Sequence, residues 1–136
     1  MTDQATGASR LLQIGQVADA TGLSLKTIRH YDEVGLVTPS ERSPGGFRLY
    51  TPADVDRLMV IRRMKPLGFT LEQMRDLLAA LDTLEGDAAD SAVRADAAAF
   101  VDQCSEAAAQ RCAELRSQLA FAEEFAAVLS DLAGRR

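Results

Sequence analysis

Between Arg94 and Leu132 the sequence contains neither proline nor glycine. Alanine, leucine and glutamate dominate this run, and these residues lose little on entering a helix. One uninterrupted helix of roughly 55 Å is therefore predicted, at 1.5 Å per residue. A chain of 136 residues has the size of one ordinary domain, and such a globule cannot enclose a rod of that length. The prediction is thus a globular part plus a projecting helix, with apolar residues on the helix in need of a partner. Val101, Cys104, Ala108, Cys112, Leu115, Leu119, Ala122, Ala126 and Leu129 recur at steps of three and four, which draws one seam of the coiled-coil kind. Phe121, Phe125, Val128 and Leu132 form a second stripe beside it. A second copy of the chain is the economical partner for the seam, because closed two-fold dimers are the commonest oligomers. Small residues at 108, 122 and 126 permit close approach, and the second stripe is expected to pack on a globular domain. The competing arrangement is a monomeric bundle with the helix folded back, which leaves a large apolar area uncovered.

Upstream, start and stop signals divide the chain into short elements. A helix around 15 to 21 is stopped by Gly22. Ser24 caps a second helix that ends near Gly35, with Leu23 and Ile28 placed as a hydrophobic staple. Only about three residues join the two, which is helix-turn-helix spacing. "LVTP" and "FRLY" flank Pro44-Gly45-Gly46 and are expected to be the strands of a β-hairpin. Thr51, Pro52 and Asp54 open a third helix, which Pro66 and Gly68 stop near Lys65. Thr70 and Gln73 form a capping box for a fourth helix reaching about Leu81, with Phe69 and Met74 as its staple. Ile14, Val17, Ile28, Leu36, Leu49, Val55, Leu58, Ile61, Leu67, Leu71, Met74 and Leu77 are the expected core.

The fold class that follows is mainly α. It has a disordered tail over 1–11, a globular domain over 12–81, an acidic linker over 82–93, the long helix over 94–132 and a short tail over 133–136. The sequence runs only about four residues past that helix, so any effector is expected at the linker, the dimer seam or the junction of helix and globular domain.

Net charge of −5 argues against a polyanionic partner until the chain is split. From Lys26 to Lys65 eight Lys and Arg outweigh five acids, whereas from residue 80 onward eleven acids outweigh five bases. Only the first part is suited to meet phosphate. An enzyme is not expected, since the chain holds one histidine, no glycine-rich phosphate loop and no nucleophile–base set. No apolar run approaches the roughly 20 residues that span a bilayer. The N-terminus lacks the basic and apolar regions of a secretory signal, so a cytoplasmic protein with reduced thiols is expected.

The order helix-turn-helix, hairpin wing, helix pair, long helix resembles the MerR family of bacterial transcription regulators. The resemblance is carried by "IGQVADATGLSLKTIRHYDEVGLVTPS", "GGFRLYTPADVDRL" and "LGFTLEQMRDLL", in detail over residues 12 to about 82 and beyond that in architecture. It implies a winged helix-turn-helix domain with a small wing, followed by a long coiled-coil dimerisation helix. It also implies a homodimer on double-stranded DNA at a two-fold symmetric promoter operator. The second helix is its recognition helix, whose N-terminal part enters the major groove. Lys26, Thr27, Arg29 and Tyr31 are the expected contacts there, with His30 standing where a second tyrosine is usual in the family. Arg42, Arg48 and Tyr50 match wing residues that contact the DNA backbone, and Arg62 matches a further phosphate contact. Tyr50 has a second reading as core packing beneath the wing. Phe47 stands where the family often has tyrosine, so a contact through that hydroxyl is lost.

The resemblance also implies activation by distorting an over-long promoter spacer for RNA polymerase, although repression fits equally. A different class, DNA-architectural or recombination-accessory proteins, uses similar small winged helices. A thiol- or metal-responsive regulator using Cys104 and Cys112 is a third reading. Their eight-residue offset within one helix separates the thiols by about 12 Å, and no third Cys or nearby His completes a zinc site. Both fall on the seam, so core packing is favoured and no metal or cofactor is expected.

Overall fold

The helices begin where side chains can satisfy their first N–H groups. The computed structural model describes residues 10–87 and 90–135, and the chain divides into two compact units, 1–79 and 80–136. Most of the tail expected over 1–11 lies outside the described residues.

In the first unit, α1 spans Ile14–Thr21 and ends at Gly22 with φ 76°, a left-handed conformation that favours glycine. The buried Thr21 hydroxyl donates to the Val17 carbonyl at 2.8 Å and accepts from the Leu23 N–H at 3.2 Å, which fastens the turn. Recognition-helix candidate α2 spans Leu25–Glu33, and Ser24 Oγ accepts from the Thr27 N–H at 3.0 Å. Helix α3 spans Pro52–Met64 under the reciprocal box of Thr51 and Asp54, and a 3-10 turn, Lys65–Leu67, follows. Helix α4, Leu71–Glu85, starts with the expected box, Thr70 N–H to Gln73 Oε1 at 2.9 Å and Gln73 N–H to Thr70 Oγ1 at 3.1 Å. It runs past Leu81 because nothing before Gly86 breaks it.

The hairpin is shorter than expected. Strands β1, Glu41–Arg42, and β2, Arg48–Leu49, pair antiparallel with Glu41 opposite Leu49 and Arg42 opposite Arg48. "LVTP" is not a strand. The N–H groups of Leu36 and Val37 are spent on the Tyr31 carbonyl at 2.9 and 3.3 Å, and Pro39 has no N–H to give. After β2, Tyr50 and Leu12 exchange backbone hydrogen bonds of 2.9 and 2.8 Å, so the base of the wing is closed by the chain leading into α1.

One core joins these elements. Val17, Ile28, Leu36, Leu58, Ile61 and Met74 are buried in it, and Ile14, Val55 and Leu77 pack against it. Tyr31, Val37, Tyr50, Met64 and Leu78 join it as well. Leu49 and Leu67 are only half-buried, and Leu71 is exposed.

In the second unit, α5 runs from Ser91 to Gly134, and Asp90 caps it by accepting the Val93 N–H at 2.9 Å. Its 44 residues make a rod of roughly 66 Å. The segment between α4 and α5 is shorter than the 82–93 linker expected, and Ala133 and Gly134 belong to the helix rather than to a tail. Along the predicted seam, Val101, Cys104, Ala108, Cys112 and Leu115 are half-buried, whereas Leu119, Ala122, Ala126 and Leu129 are exposed. Phe121, Phe125, Val128 and Leu132 are exposed too. The second stripe, expected to pack on a globular domain, is thus uncovered in the single chain.

Candidate nucleic-acid interface

Helical period sorts α2 into two faces. Ile28 and Tyr31 point into the core, and Lys26, Arg29, His30 and Glu33 are exposed. The short turn after Gly22 and the Ser24 cap set where this exposed face begins. Ser24 Oγ also lies 2.9 Å from Thr27 Oγ1, holding the half-buried Thr27 side chain near the first turn. The N–H groups of that first turn add partial positive charge beside Lys26.

The wing adds a second set of cations. Arg42 reaches across the hairpin turn, donating through Nη1 to the Gly46 carbonyl at 3.3 Å. Arg48 donates through Nη1 to Asp32 Oδ2 on the last turn of α2. A groove of about 340 Å³ between wing and helices is lined by Gln13, Ile14, Arg29, Gly46, Phe47 and Arg48. It brings Arg29 of α2 and Arg48 of β2 together, with the Phe47 ring 70% exposed at its rim. Arg62, on α3, stands elsewhere: its guanidinium lies over the helix-turn-helix corner, 3.7 Å from where a Cβ on Gly22 would be.

Two of the expected contacts lie deeper than the others. Tyr31 is 3% exposed and Tyr50 fully buried; both rings are part of the core, so neither presents the exposed surface of Lys26, Arg29 or Arg48. Their positions explain this, since Tyr31 follows Ile28 by three residues on the inward face and Tyr50 closes the base of the wing. Burial pushes the pKa of both phenols up, disfavouring the phenolate. For Tyr50 the Asp32 carboxylate adds to that effect, Arg48 opposes it, Asp54 reinforces it and Arg29 again opposes it. The Tyr50 hydroxyl is buried and makes no hydrogen bond among the described residues. His30 is exposed, with its ring centroid 5.9 Å from that of Tyr31.

Several residues that line or brace this groove and helix were not foreseen. Gln13 and Ile14 line the groove because the chain before α1 pairs with Tyr50. Gln13 donates its N–H to Gln16 Oε1 at 2.8 Å, an unusual cap that the sequence does not advertise. Asp32 is the partner of Arg48, and Arg75 of α4 closes the C-terminal end of α2 by donating to the Val34 carbonyl at 2.8 Å. No group of three or more His, Cys, Asp or Glu stands together as a metal site among the described residues. Nor is any helix among them long and apolar enough to cross a membrane.

Comparison with known proteins gives concordant matches. Residues 12–81 match the model of the MerR HTH family regulatory proteins, and residues 55–132 match a model described as MerR, DNA binding. The heavy metal-dependent transcription regulator 2 of Rhizobium meliloti is 33% identical over 123 residues, covering 90% of this chain and 75% of that protein. The mercuric resistance operon regulatory protein of Bacillus cereus is 42% identical over 78 residues, covering 57% of this chain and 59% of that protein. The transcriptional activator TipA of Streptomyces coelicolor is 48% identical over 65 residues, covering 48% of this chain; the match spans only 26% of TipA. The chain thus spans little more than half of one such relative and about a quarter of another. Among solved structures, a MerR family regulator from Bacillus thuringiensis aligns with a TM-score of 0.70 at 22% identity, over 86% of this chain and 97% of that one. HiNmlR, a MerR family regulator lacking the sensor domain and bound to promoter DNA, aligns with a TM-score of 0.67 at 23% identity, over 86% of this chain and 88% of that one. These two likenesses establish the fold.

Proposed function

The chain belongs to the MerR family of helix-turn-helix regulatory proteins, and from that premise we propose that it is a homodimeric transcription regulator that binds a two-fold symmetric promoter operator. The observation that carries this reading is the groove in which Arg29 of α2 and Arg48 of the wing come together beside the exposed face of α2. Lys26, Arg29 and His30 address the major groove, with Thr27 at its edge. Arg42, Arg48 and Arg62 supply phosphate contacts that fix register and give affinity without reading sequence. Tyr31 and Tyr50 support these side chains from beneath.

The dimer follows from α5. Leu119, Phe121, Phe125, Val128, Leu129 and Leu132 are each about half exposed or more, and exposed apolar side chains gathered on one helix suit an interaction face. A second copy presents the same helix and closes with two-fold symmetry, so that two wings and two recognition helices meet two half-sites. The acidic charge of residues beyond 80 keeps this part off the phosphates. Regulation acts through deformation of promoter DNA between the half-sites, at base pairs the protein need not touch, and RNA polymerase is the partner at that promoter. The protein works in the cytoplasm.

Chromatin mapping together with two variants tests the reading. Binding confined to a few promoter palindromes supports a regulator, and binding at recombination sites supports an architectural role instead. Arg29→Ala and Arg48→Ala should each weaken operator binding while leaving fold and dimer intact. Parent-like affinity of both at moderate salt sinks the proposed interface.

A further inference from the structure

An acid on a surface that meets phosphate needs an explanation. Asp32 and Glu33 both follow the basic residues of α2, but their surroundings differ. Glu33 is exposed, whereas the Asp32 side chain is 13% exposed and bound to Arg48, itself 49% exposed. The ion pair joins the last turn of α2 to β2 across 16 residues of sequence. It lies at the groove where Arg48 meets Arg29 and Phe47, and its charges act on the Tyr50 hydroxyl beneath.

We propose that Asp32 is a positioning residue for DNA binding: its carboxylate holds the wing's Arg48 guanidinium in place while the rest of the fork faces an operator phosphate. The inference rests on the reading above, in which Arg48 contacts the operator backbone. Three observations favour retention of the pair over release of Arg48 on binding. The carboxylate is the more buried partner, so it regains less hydration than Arg48 if the pair parts. Arginine carries five N–H donors in a rigid plane, and the bond to Asp32 runs through Nη1 alone. The half-exposed Arg48 therefore has donors to offer without leaving Asp32. Holding the fork in advance also reduces the ordering that binding would otherwise require.

The sign of one substitution separates this role from plain electrostatics. Removing an acid near phosphate should strengthen DNA binding if Asp32 were only a surface charge. If Asp32 positions Arg48, Asp32→Asn weakens binding although the protein becomes less negative. The experiment titrates the full-length protein against its mapped operator over a range of salt concentrations, for the parent, Asp32→Asn, Arg48→Ala and the double variant. Arg48→Ala should lower the salt slope by about one and the affinity about tenfold near 0.1 M salt. Asp32→Asn should lose several-fold in affinity, and the double variant should be no weaker than Arg48→Ala alone. Arg48→Lys keeps the charge but replaces the fork by a single ammonium, so it too should bind more weakly than the parent; it serves where Asp32→Asn fails to fold. Tighter or unchanged binding by a folded Asp32→Asn overturns the positioning role, as does parent-like binding by Arg48→Lys. An Arg48→Ala variant with unaltered affinity and salt slope overturns instead the reading that Arg48 meets the operator.

Discussion

Ser40 gives both its backbone N–H and its hydroxyl to the carboxylate of Asp54, at 3.0 and 2.7 Å. The same carboxylate accepts the Thr51 N–H at 2.9 Å, and Thr51 Oγ1 accepts the Asp54 N–H at 3.1 Å. One side chain, 5% exposed, thus caps α3 and ties down the chain immediately before the wing. Asp54→Ala leaves three donors without their acceptor and should cost about 3 kcal/mol, whereas Asp54→Asn keeps one oxygen and should cost about half as much. Urea unfolding checks this, with a lowered midpoint at an unchanged slope. A midpoint equal to the parent's for Asp54→Ala would show that the network carries no net stability.

How much of this was legible before folding depends on the range of each interaction. The caps at Ser24, Thr51 and Thr70 are local, so a residue type and a spacing of three were enough to place them. The long helix α5 was legible because no proline or glycine between Arg94 and Leu132 interrupts it. Tyr31 also carried a local signal for the core, three residues after Ile28, but its place on the second helix and its match to the family's contacting positions put it among the expected DNA contacts. The pairs Ser40–Asp54 and Asp32–Arg48 span 14 and 16 residues and depend on how the wing docks, which no periodicity encodes. The short strands were hidden for a related reason: "LVTP" has strand composition, yet its amides are taken by the end of α2.

Arg94 closes the end of α4 from the first turn of α5. Its guanidinium donates to the carbonyls of Thr83 at 3.1 Å, Leu84 at 2.9 Å and Gly86, satisfying oxygens that a helix end leaves without partners. Arg94→Ala should therefore fray residues 83–87 locally, at about 1–2 kcal/mol, and Arg94→Lys should recover little because one ammonium cannot span three carbonyls. Amide hydrogen exchange reads the effect directly, as faster exchange confined to this segment. Uniform exchange along α4 and α5 in both variants would remove the clamp from the account.

Two glycines should respond to alanine with opposite signs. Gly22 sits at φ 76°, and an added Cβ meets only the Arg62 guanidinium at an ordinary 3.7 Å, so the penalty is backbone strain rather than crowding. Gly15 lies within α1 with no neighbour inside 4 Å of an added Cβ and no positive φ. Gly22→Ala should destabilise by about 1 kcal/mol or more, and Gly15→Ala should stabilise by about 0.4–1 kcal/mol through the unfolded chain. Thermal melts of the two variants, side by side, decide it; a shared sign contradicts the assignment of strain to Gly22.

The seam makes a claim about assembly. Leu119 and Leu129 are 57% and 49% exposed in the single chain, and a dimer partner covers them if α5 is the interface. Leu119→Lys with Leu129→Lys places two charges in that contact and should shift the protein towards monomer by at least a hundredfold in dissociation constant, about 3 kcal/mol. The double variant Cys104→Ala with Cys112→Ala, both half-buried on the same helix, should remain dimeric. Sedimentation equilibrium measures both, and a lysine variant that stays dimeric at the parent's concentration moves the interface off this seam.

Tyr50 separates packing from contact in one substitution. Its ring is fully buried and its hydroxyl has no hydrogen-bond partner among the described residues, so Tyr50→Phe removes an unsatisfied polar group and keeps the shape. Stability at neutral pH should stay level or rise, by up to about 1 kcal/mol. The effect should grow in alkali. Burial, with Asp32 next, raises the folded-state pKa of Tyr50 above the usual value of 10.0. A raised folded value means that its full stabilising contribution is present below about pH 10 and lost above it, as the unfolded chain ionises first. Tyr50→Phe abolishes that loss, so its advantage over the parent in urea should be larger at pH 11 than at pH 7. Operator affinity should meanwhile stay near the parent's, because a hydroxyl held inside the core does not reach phosphate. If Tyr50→Phe instead weakens binding at neutral pH with its stability intact, the hydroxyl turns outward on the operator and joins Arg48 as a contact.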